Sequence, residues 1–310
     1  MLRSMIFRIQ HRDSTWIDLE RPTEDEVLRI AREFPIGERI KTELLSPTPS
    51  SMVAADEHVT LSVLHFPAYT GDDGSVRNQE VDFIVGRSFI ITVRYEVVAP
   101  LQDLRKTLET EELVLGKSRL ATDTLLEVLF VHLYEAVRDH THHLSNHLSH
   151  IEAQMFAGHE RGAVRAISDV NRAYLHLEAA LTSQEEPLSR FLATLSERGF
   201  FGASFKERAG RIEAERLQVD HLIRAHRALA SELRETNAAL LATRQNEIMK
   251  TLTVVNFIFL PLELIAFVFG MHALGTPLEQ NPHAFLIIMA LMLAIVVVMT
   301  IYFARKRWIF

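Results

Sequence analysis

Glu263 stands inside the run TLTVVNFIFLPLELIAFVFGM, Thr251–Met271, together with Asn256 and Pro261. A carboxylate in the middle of an apolar span is costly unless it faces water or protein. If it is solvated, several copies of the helix must ring an aqueous path, because one chain with two spans cannot enclose one. Such a path would attract cations or protons; a structural carboxylate paired to a neighbouring helix, or a shallower span, is the alternative. A second constellation is a histidine ladder. His140, His143, His147 and His150 recur at i, i+3, i+7 and i+10, with His132, His142 and His159 nearby. Imidazoles at that spacing can chelate a transition metal. The ladder runs beside the apolar stripe rather than on it, so a solvated or interhelical flank is the competing reading. With no cysteine in the chain, thiolate metal sites, disulfides and thiol catalysis are excluded.

The elements that must position these groups begin with two apolar runs. Thr251–Met271 and Ala284–Ala304 each hold about 21 residues, or roughly 31 Å as helix, the thickness of a bilayer core. Neither lies where a signal peptide would, and the opening MLRSMIFRIQ lacks the apolar stretch of a secretion signal. Lys250 precedes the first run, Arg305, Lys306 and Arg307 follow the second, and the loop between them contains neither Lys nor Arg. The positive-inside rule places both termini in the cytoplasm. Tyr302 and Trp308 fall where interfacial anchors would stand. These features predict a multi-pass protein of the cell's inner (plasma) membrane.

The remainder reads as a soluble head. Thr15–Leu19 is expected as a strand, then a helix opened by Pro22 and Thr23 and closed before Pro35. Val59–Phe66, Glu80–Val85 and Ser88–Tyr95 are further strands, with turns at Thr70–Gly74 and Gly86–Arg87. Beyond Gly116 helical spacing takes over: Ser118–Phe156, then Arg161–Ser183, then a third stretch opened by Pro187 and closed by a loop with Gly199 and Gly202. From Phe205 no breaker occurs before Pro261. A seam of Ile212, Val219, His226, Leu233 and Leu240, with Leu222 and Leu229 between, predicts one helix running into the first span. The fold class is α+β: a mixed sheet with flanking helices, followed by long helices and two transmembrane helices. The expected divisions are 1–116 (α/β), 117–204 (helical), 205–271 (stalk and first span), 272–283 (external loop), 284–304 (second span) and 305–310 (basic tail).

At the junction, Asn246–Thr253 (NEIMKTLT) followed by Phe259-Leu260-Pro261-Leu262 resembles the start of the pore helix in the CorA family of divalent-cation channels and transporters. Phe269-Gly270-Met271-His272 falls at that family's Gly-Met-Asn signature. Gly275-Thr276-Pro277 and Asn281–Phe285 look most like the loop of its zinc-transporting ZntB branch. The resemblance covers the whole chain in its layout. It implies a homopentamer with a funnel-shaped cytoplasmic domain and one axial pore. The positions matching the pore face are Asn246, Met249, Leu252, Asn256, Leu260, Glu263, Phe267 and Gly270, and their steps of three and four keep one helical stripe. Gly270, Met271 and His272 take the selectivity signature.

This sequence departs from the family at three points. His272 replaces an amide with imidazole, which suits zinc, nickel or copper better than magnesium; a decayed signature with an interfacial imidazole is the alternative. Glu263 stands where a small or hydroxylated residue is usual, and a ring of carboxylates could not remain fully ionised without a bound cation or proton. Phe267, where Gly is common, narrows the path. The implied partners are further copies of this chain, the lipid bilayer and a transported Mg2+, Zn2+ or Co2+ ion, with a tilt to Zn2+ and protons as a further candidate. No resident cofactor is implied. A formal charge of −7 argues against nucleic acid. No phosphate loop, nucleophile elbow or zinc-protease helix is present, so an enzyme is not expected. The competing class is a non-transporting, membrane-anchored scaffold or metal/pH sensor, favoured by Phe267 and His272.

Overall fold

A computed structural model describes residues 5–10, 13–70, 75–115, 120–271, 283–306 and 308. The chain forms two compact units, Met1–Arg234 and Glu235–Phe310. In the first, strands β1 (Met5–Gln10), β2 (Thr15–Glu20), β3 (Met52–Ala55), β4 (Thr60–Thr70), β5 (Ser75–Val85) and β6 (Phe89–Arg94) form one sheet in the order β1-β2-β6-β5-β4-β3. The sheet is mixed because β2 pairs with β6 in parallel and every other neighbour is antiparallel. β6 is buried at every position, as a central strand covered on both faces must be.

Two helix layers supply that cover. On one face lie α1 (Glu24–Glu33) and α2 (Glu38–Glu43), whose Val27, Ile30 and Ile40 join Ile17, Leu61, Val63, Ile84, Ile91 and Val93 in a single core. α1 starts where Thr23 and Glu26 cap reciprocally: Thr23 N–H donates to Glu26 Oε2 at 2.8 Å, and Glu26 N–H to Thr23 Oγ1 at 3.4 Å. On the other face lie α4 (Thr122–Phe156) and α5 (Glu160–Glu197), through Phe130 stacked on Phe83 at 4.7 Å and Tyr134 against Phe66 at 5.6 Å. α3 (Ala99–Leu115) follows the last strand. The Gly86 turn admits no side chain, since a Cβ there would come within 2.4 Å of the Phe89 ring.

The expected strands and first helix are present. β1, β3, α2 and α3 lie where the sequence carries no clear signal, β1 because it is an edge strand with one buried residue. The turn residues 71–74 lie outside the described residues. Pro187 does not open a new helix: α5 continues through it from Glu160 to Glu197. Proline withholds one hydrogen bond from the Ser183 carbonyl, but buried Leu181, Leu188, Phe191 and Leu192 hold both halves in line. Gln184 pins the same turn, accepting from Tyr134 Oη at 2.9 Å and donating to the His65 carbonyl at 2.6 Å. α6 is one helix, Phe205–Gly270. Its seam within the first unit also differs from expectation. Ile212, Val219 and Leu233 are buried, but their partners are Arg216, Ile223 and Ala230, whereas Leu229 is 53% exposed. The a/d alternation thus runs one residue later than the leucines suggest. His226 fills the polar lapse, its ring parallel to Tyr174 at 6.1 Å and 6.4 Å from that of His142.

Buried charge in the centre of the sheet is compensated. Arg94, fully buried, meets Asp18 Oδ2 at 2.8 Å and Glu20 Oε2 at 2.9 Å. The parallel register sets Arg94 opposite Glu20 and Thr92 opposite Asp18, and Thr92 Oγ1 donates to Asp18 Oδ1 at 2.8 Å. Replacing Arg94 by Ala strands two carboxylates in a dry layer, a loss of about 3–5 kcal/mol. The expected outcome is little folded protein or a sharply lowered Tm for Arg94→Ala, measured by thermal unfolding of the full chain in detergent.

Candidate functional site

The second unit contains the distal part of α6 and α7 (Ala284–Arg305). Both helices are long and apolar enough to cross a membrane. Within this unit α6 turns one side to α7: Val254 is buried at 6% exposure, as is Phe303, and the Phe257 and Phe303 rings lie 6.1 Å apart. Phe303 also meets Tyr302 and Trp308, at 5.4 Å and 5.9 Å, and Lys306 Nζ lies 5.5 Å from the Tyr302 ring.

The candidate stripe occupies the other side. Glu263 follows Val254 by nine residues, which at 3.6 per turn is a rotation of about 180°. Met249, Leu252, Asn256, Leu260, Phe267 and Gly270 fall within about 60° of Glu263 on the same wheel. All are exposed in the single chain, the large apolar ones from 52% at Leu252 to 70% at Phe267. Asn246 lies about 100° away on a straight helix; underwinding to 3.5 residues per turn, as in a supercoil, brings it back toward the stripe. Pro261 cannot donate to the Phe257 carbonyl, a local weakening of the helix between Asn256 and Glu263. Chemically, the face offers one carboxylate and one amide within two turns on an otherwise apolar surface. Gly270 and Met271 end the described part of the signature. His272, with the rest of the loop through 282, lies outside the described residues, as does Arg307.

The histidine ladder does not converge. His140 lies on the buried stripe of α4, not beside it, at 8% exposure, whereas His143, His147 and His150 face solvent. The four lie within an arc of about 80° on one side of the helix, and His140 is the member at the edge next to buried Leu133, Leu144 and Ile151. Among the described residues no three His, Cys, Asp or Glu side chains are grouped to hold a metal. Burial, with His143 adding charge repulsion, pulls the His140 imidazole from 6.5 down to about 4.

One cluster escaped the sequence reading: Glu80 and Asp82 on β5 are both buried. The available signal was the run Glu80-Val81-Asp82, two acids on the same face of a strand that continues into the apolar Phe83-Ile84-Val85.

Comparison with known proteins bears on the whole chain. The family described as CorA-like Mg2+ transporter protein matches residues 12–307. The chain belongs to the CorA family. That is a family of transport proteins, not of enzymes. The chain is 23% identical over 301 residues to the cobalt/magnesium transport protein CorA of Methanocaldococcus jannaschii, covering 95% of this chain and 91% of that one. The complete structure of the magnesium transporter from that organism superposes with a TM-score of 0.79 at 20% identity, over 96% of this chain and 92% of the other. The full-length CmaX protein gives a TM-score of 0.66 at 18% identity, with 95% and 89% covered. The ZntB cytoplasmic domain of Vibrio parahaemolyticus gives 0.57 at 12% identity, over 74% and 89%. The CorA fold, with its mixed-sheet head, long helices and two apolar C-terminal helices, is therefore that of this chain.

A histidine kept neutral by burial stabilises the fold above its unfolded pKa near 6.5, and that stability is lost as pH falls toward about 4. His140→Gln is expected to flatten this acid limb by roughly 2–3 kcal/mol at most, read as Tm against pH. His147→Gln, at an exposed position of the same helix, should leave the limb as it is.

Proposed function

We propose that this CorA-family protein is a homopentameric channel or transporter for divalent metal cations, with α6 lining an axial path. The observation that carries the proposal is the placement of Asn256 and Glu263 on the side of α6 turned away from α7. In lipid, a carboxylate and an amide on an exposed apolar helix need water or polar neighbours. Symmetric copies packed about that face supply both, and leave α7 and its aromatic end to the bilayer. Asn246, Met249, Leu252, Leu260, Phe267 and Gly270 complete the path, and Gly270, Met271 and His272 form its outer mouth.

On this reading 1–116 and 117–204 form the cytoplasmic head, 205–271 the stalk and first span, 272–283 the external loop, 284–304 the second span and 305–310 a cytoplasmic basic tail. The protein is multi-pass in the cell's inner membrane, with both termini in the cytoplasm by the positive-inside rule. Mg2+ and Co2+ head the candidate cargo, being the ions for which the M. jannaschii relative is named. Zn2+ joins them through the His272 imidazole and the Glu263 carboxylate, which bind it without demanding a full hydration shell. The Glu263 ring attracts a cation, and protons are a further candidate for the same path. Proton coupling follows if one exchange drives the other.

Two experiments test this. In liposomes loaded with a metal-sensitive dye, the protein should pass at least one of Mg2+, Co2+ and Zn2+. Glu263→Ala should cut that flux by about tenfold or more, equivalent to about 1.4 kcal/mol or more, while His272→Asn retains it. Absence of flux for every divalent ion would leave an anchored scaffold or sensor. Because the chain has no cysteine, single Leu260→Cys and Val254→Cys variants can be treated with a short thiol crosslinker. Leu260→Cys should join neighbouring copies; Val254→Cys, on the face covered by α7, should remain monomeric on a denaturing gel.

A further inference from the structure

Segment 44–51, between α2 and β3, is fastened to the sheet by polar groups short of donors. Tyr95 Oη has three acceptors, the carbonyls of Leu44 and Ser46 at 3.2 Å and 3.3 Å and Asp82 Oδ2 at 3.3 Å, but one proton to give. Glu80 takes the Thr48 N–H on both oxygens, at 2.9 Å and 2.8 Å. The Thr48 carbonyl in turn lies 3.0 Å from His65 Nε2, and Ser51 Oγ lies 3.3 Å from His65 Nδ1. Both ring nitrogens of His65 therefore have partners, the Ser51 hydroxyl being able to donate or accept. Asp82 is 1% exposed and its Oδ1 has no hydrogen-bond partner among the described residues.

Apart from the His65 imidazole, the ionisable groups facing this spot are acidic. Glu80 lies two residues along the same strand, Glu43 projects from the end of α2, and Tyr95 is a phenol. His65, on β4 opposite Glu80, approaches its carboxylate only to 3.7 Å. No Lys or Arg forms an ion pair with Glu80 or Asp82 among the described residues, in contrast to the Arg94 triad of the same sheet. Two ionised carboxylates cannot share so dry a site. A proton on Asp82 removes one charge and supplies the missing donor.

We propose that Asp82 keeps its proton in the folded chain, and that this buried carboxylic acid beside Glu80 is a pH-sensitive clasp holding segment 44–51 and the end of α2 on the sheet. Burial first, and the neighbouring Glu80 charge second, push the Asp82 carboxyl well above the usual carboxylate range. The same burial raises the Tyr95 phenol, which therefore stays a donor at any physiological pH. The sign follows. The folded chain retains a proton that the unfolded chain releases near 3.8. The pair's contribution to stability is complete below that value and declines as pH rises toward the folded pKa. When the proton leaves, two adjacent anions repel, and the least costly relief is release of the Thr48 N–H and the segment that carries it. Protons reaching the cytoplasmic head would thereby control the order of one surface segment, independently of whether the membrane helices conduct.

The test uses the full chain in lipid, with a nitroxide spin label on a single Ser46→Cys, at a position whose side chain is exposed. Label mobility should rise reversibly by about twofold or more as the pH is raised from acid to alkaline, and should stay low throughout in Asp82→Asn, which is neutral and still donates. Glu80→Gln, the second variant should Asp82→Asn fold poorly, should also remove the rise. Infrared spectra of the unlabelled protein should show a protonated carboxyl band that disappears over the same pH range and is missing in Asp82→Asn. Unchanged mobility in the parent, or the same rise in both variants, overturns the proposal. So does Mg2+ alone restoring low mobility at high pH in the parent, which would make the pair a hard-cation site.

Discussion

Removing a charge from water without giving it a partner is the constraint on which this structure turns. At the sheet centre it is met inside one chain, where Arg94 lies between Asp18 and Glu20 and the three neutralise one another to within one charge. At Asp82 and Glu80 no Lys or Arg forms an ion pair among the described residues, and on the proposal above a proton restores the balance. At Glu263 the single chain offers no compensation among its described contacts, because the residue lies on the side of α6 away from α7. The three sites differ in where the missing charge comes from: a side chain, the solvent's protons, or a surrounding that one copy does not contain.

The two units divide along the same line. The first encloses an extensive apolar core on both faces of its sheet. It also places its polar groups deliberately, as Gln184 does between Tyr134 and the His65 carbonyl. The second buries only Val254 and Phe303 among its described apolar side chains. Helices with so little mutual burial gain no hydrophobic stabilisation in water. In a bilayer they need none, since lipid solvates their outer faces and association is driven by packing and polar contacts. Exposure of Leu260, Phe267 and Leu293, which would be an aggregation hazard on a soluble surface, is there the expected state.

Much of this was legible in the residues themselves. The apolar runs, the basic residues flanking them and the alternation in Val59–Phe66 and Ser88–Tyr95 follow from periods that local physics imposes. The three- and four-residue steps of the stripe were equally plain, and the position of Val254 explains them: a helix with one covered side has its polar residues on the other. Errors arose where tertiary packing overrides local preference. Pro187 reads as a helix start, yet apolar contacts on both sides carry α5 past it. Leu229 reads as a seam residue, yet it is exposed and the smaller Ala230 is buried in its place. The ladder misled because histidine is read by its chemistry, whereas His140 is placed by the stripe to which it belongs. The Asp82–Glu80 pair was visible only as two acids in a buried strand; nothing local says whether a cation awaits them across the sheet.

The long helix connects these observations to function. α6 contributes Ile212, Val219 and Ile223 to the packed head and then, without a break in hydrogen bonding before Pro261, carries Asn256 and Glu263. A rotation of one end of an unbroken helix must be taken up either along its length or at its weakest turn. The weakest turn is the one where Pro261 withholds its hydrogen bond, and it lies between the amide and the carboxylate of the stripe. Twist arriving from the head would therefore change the angle between Asn256 and Glu263 before it changed anything beyond them. The two groups lie seven residues, about 10 Å, apart along the helix axis, too far to share one contact, so the turn at the proline governs how they are rotated relative to one another.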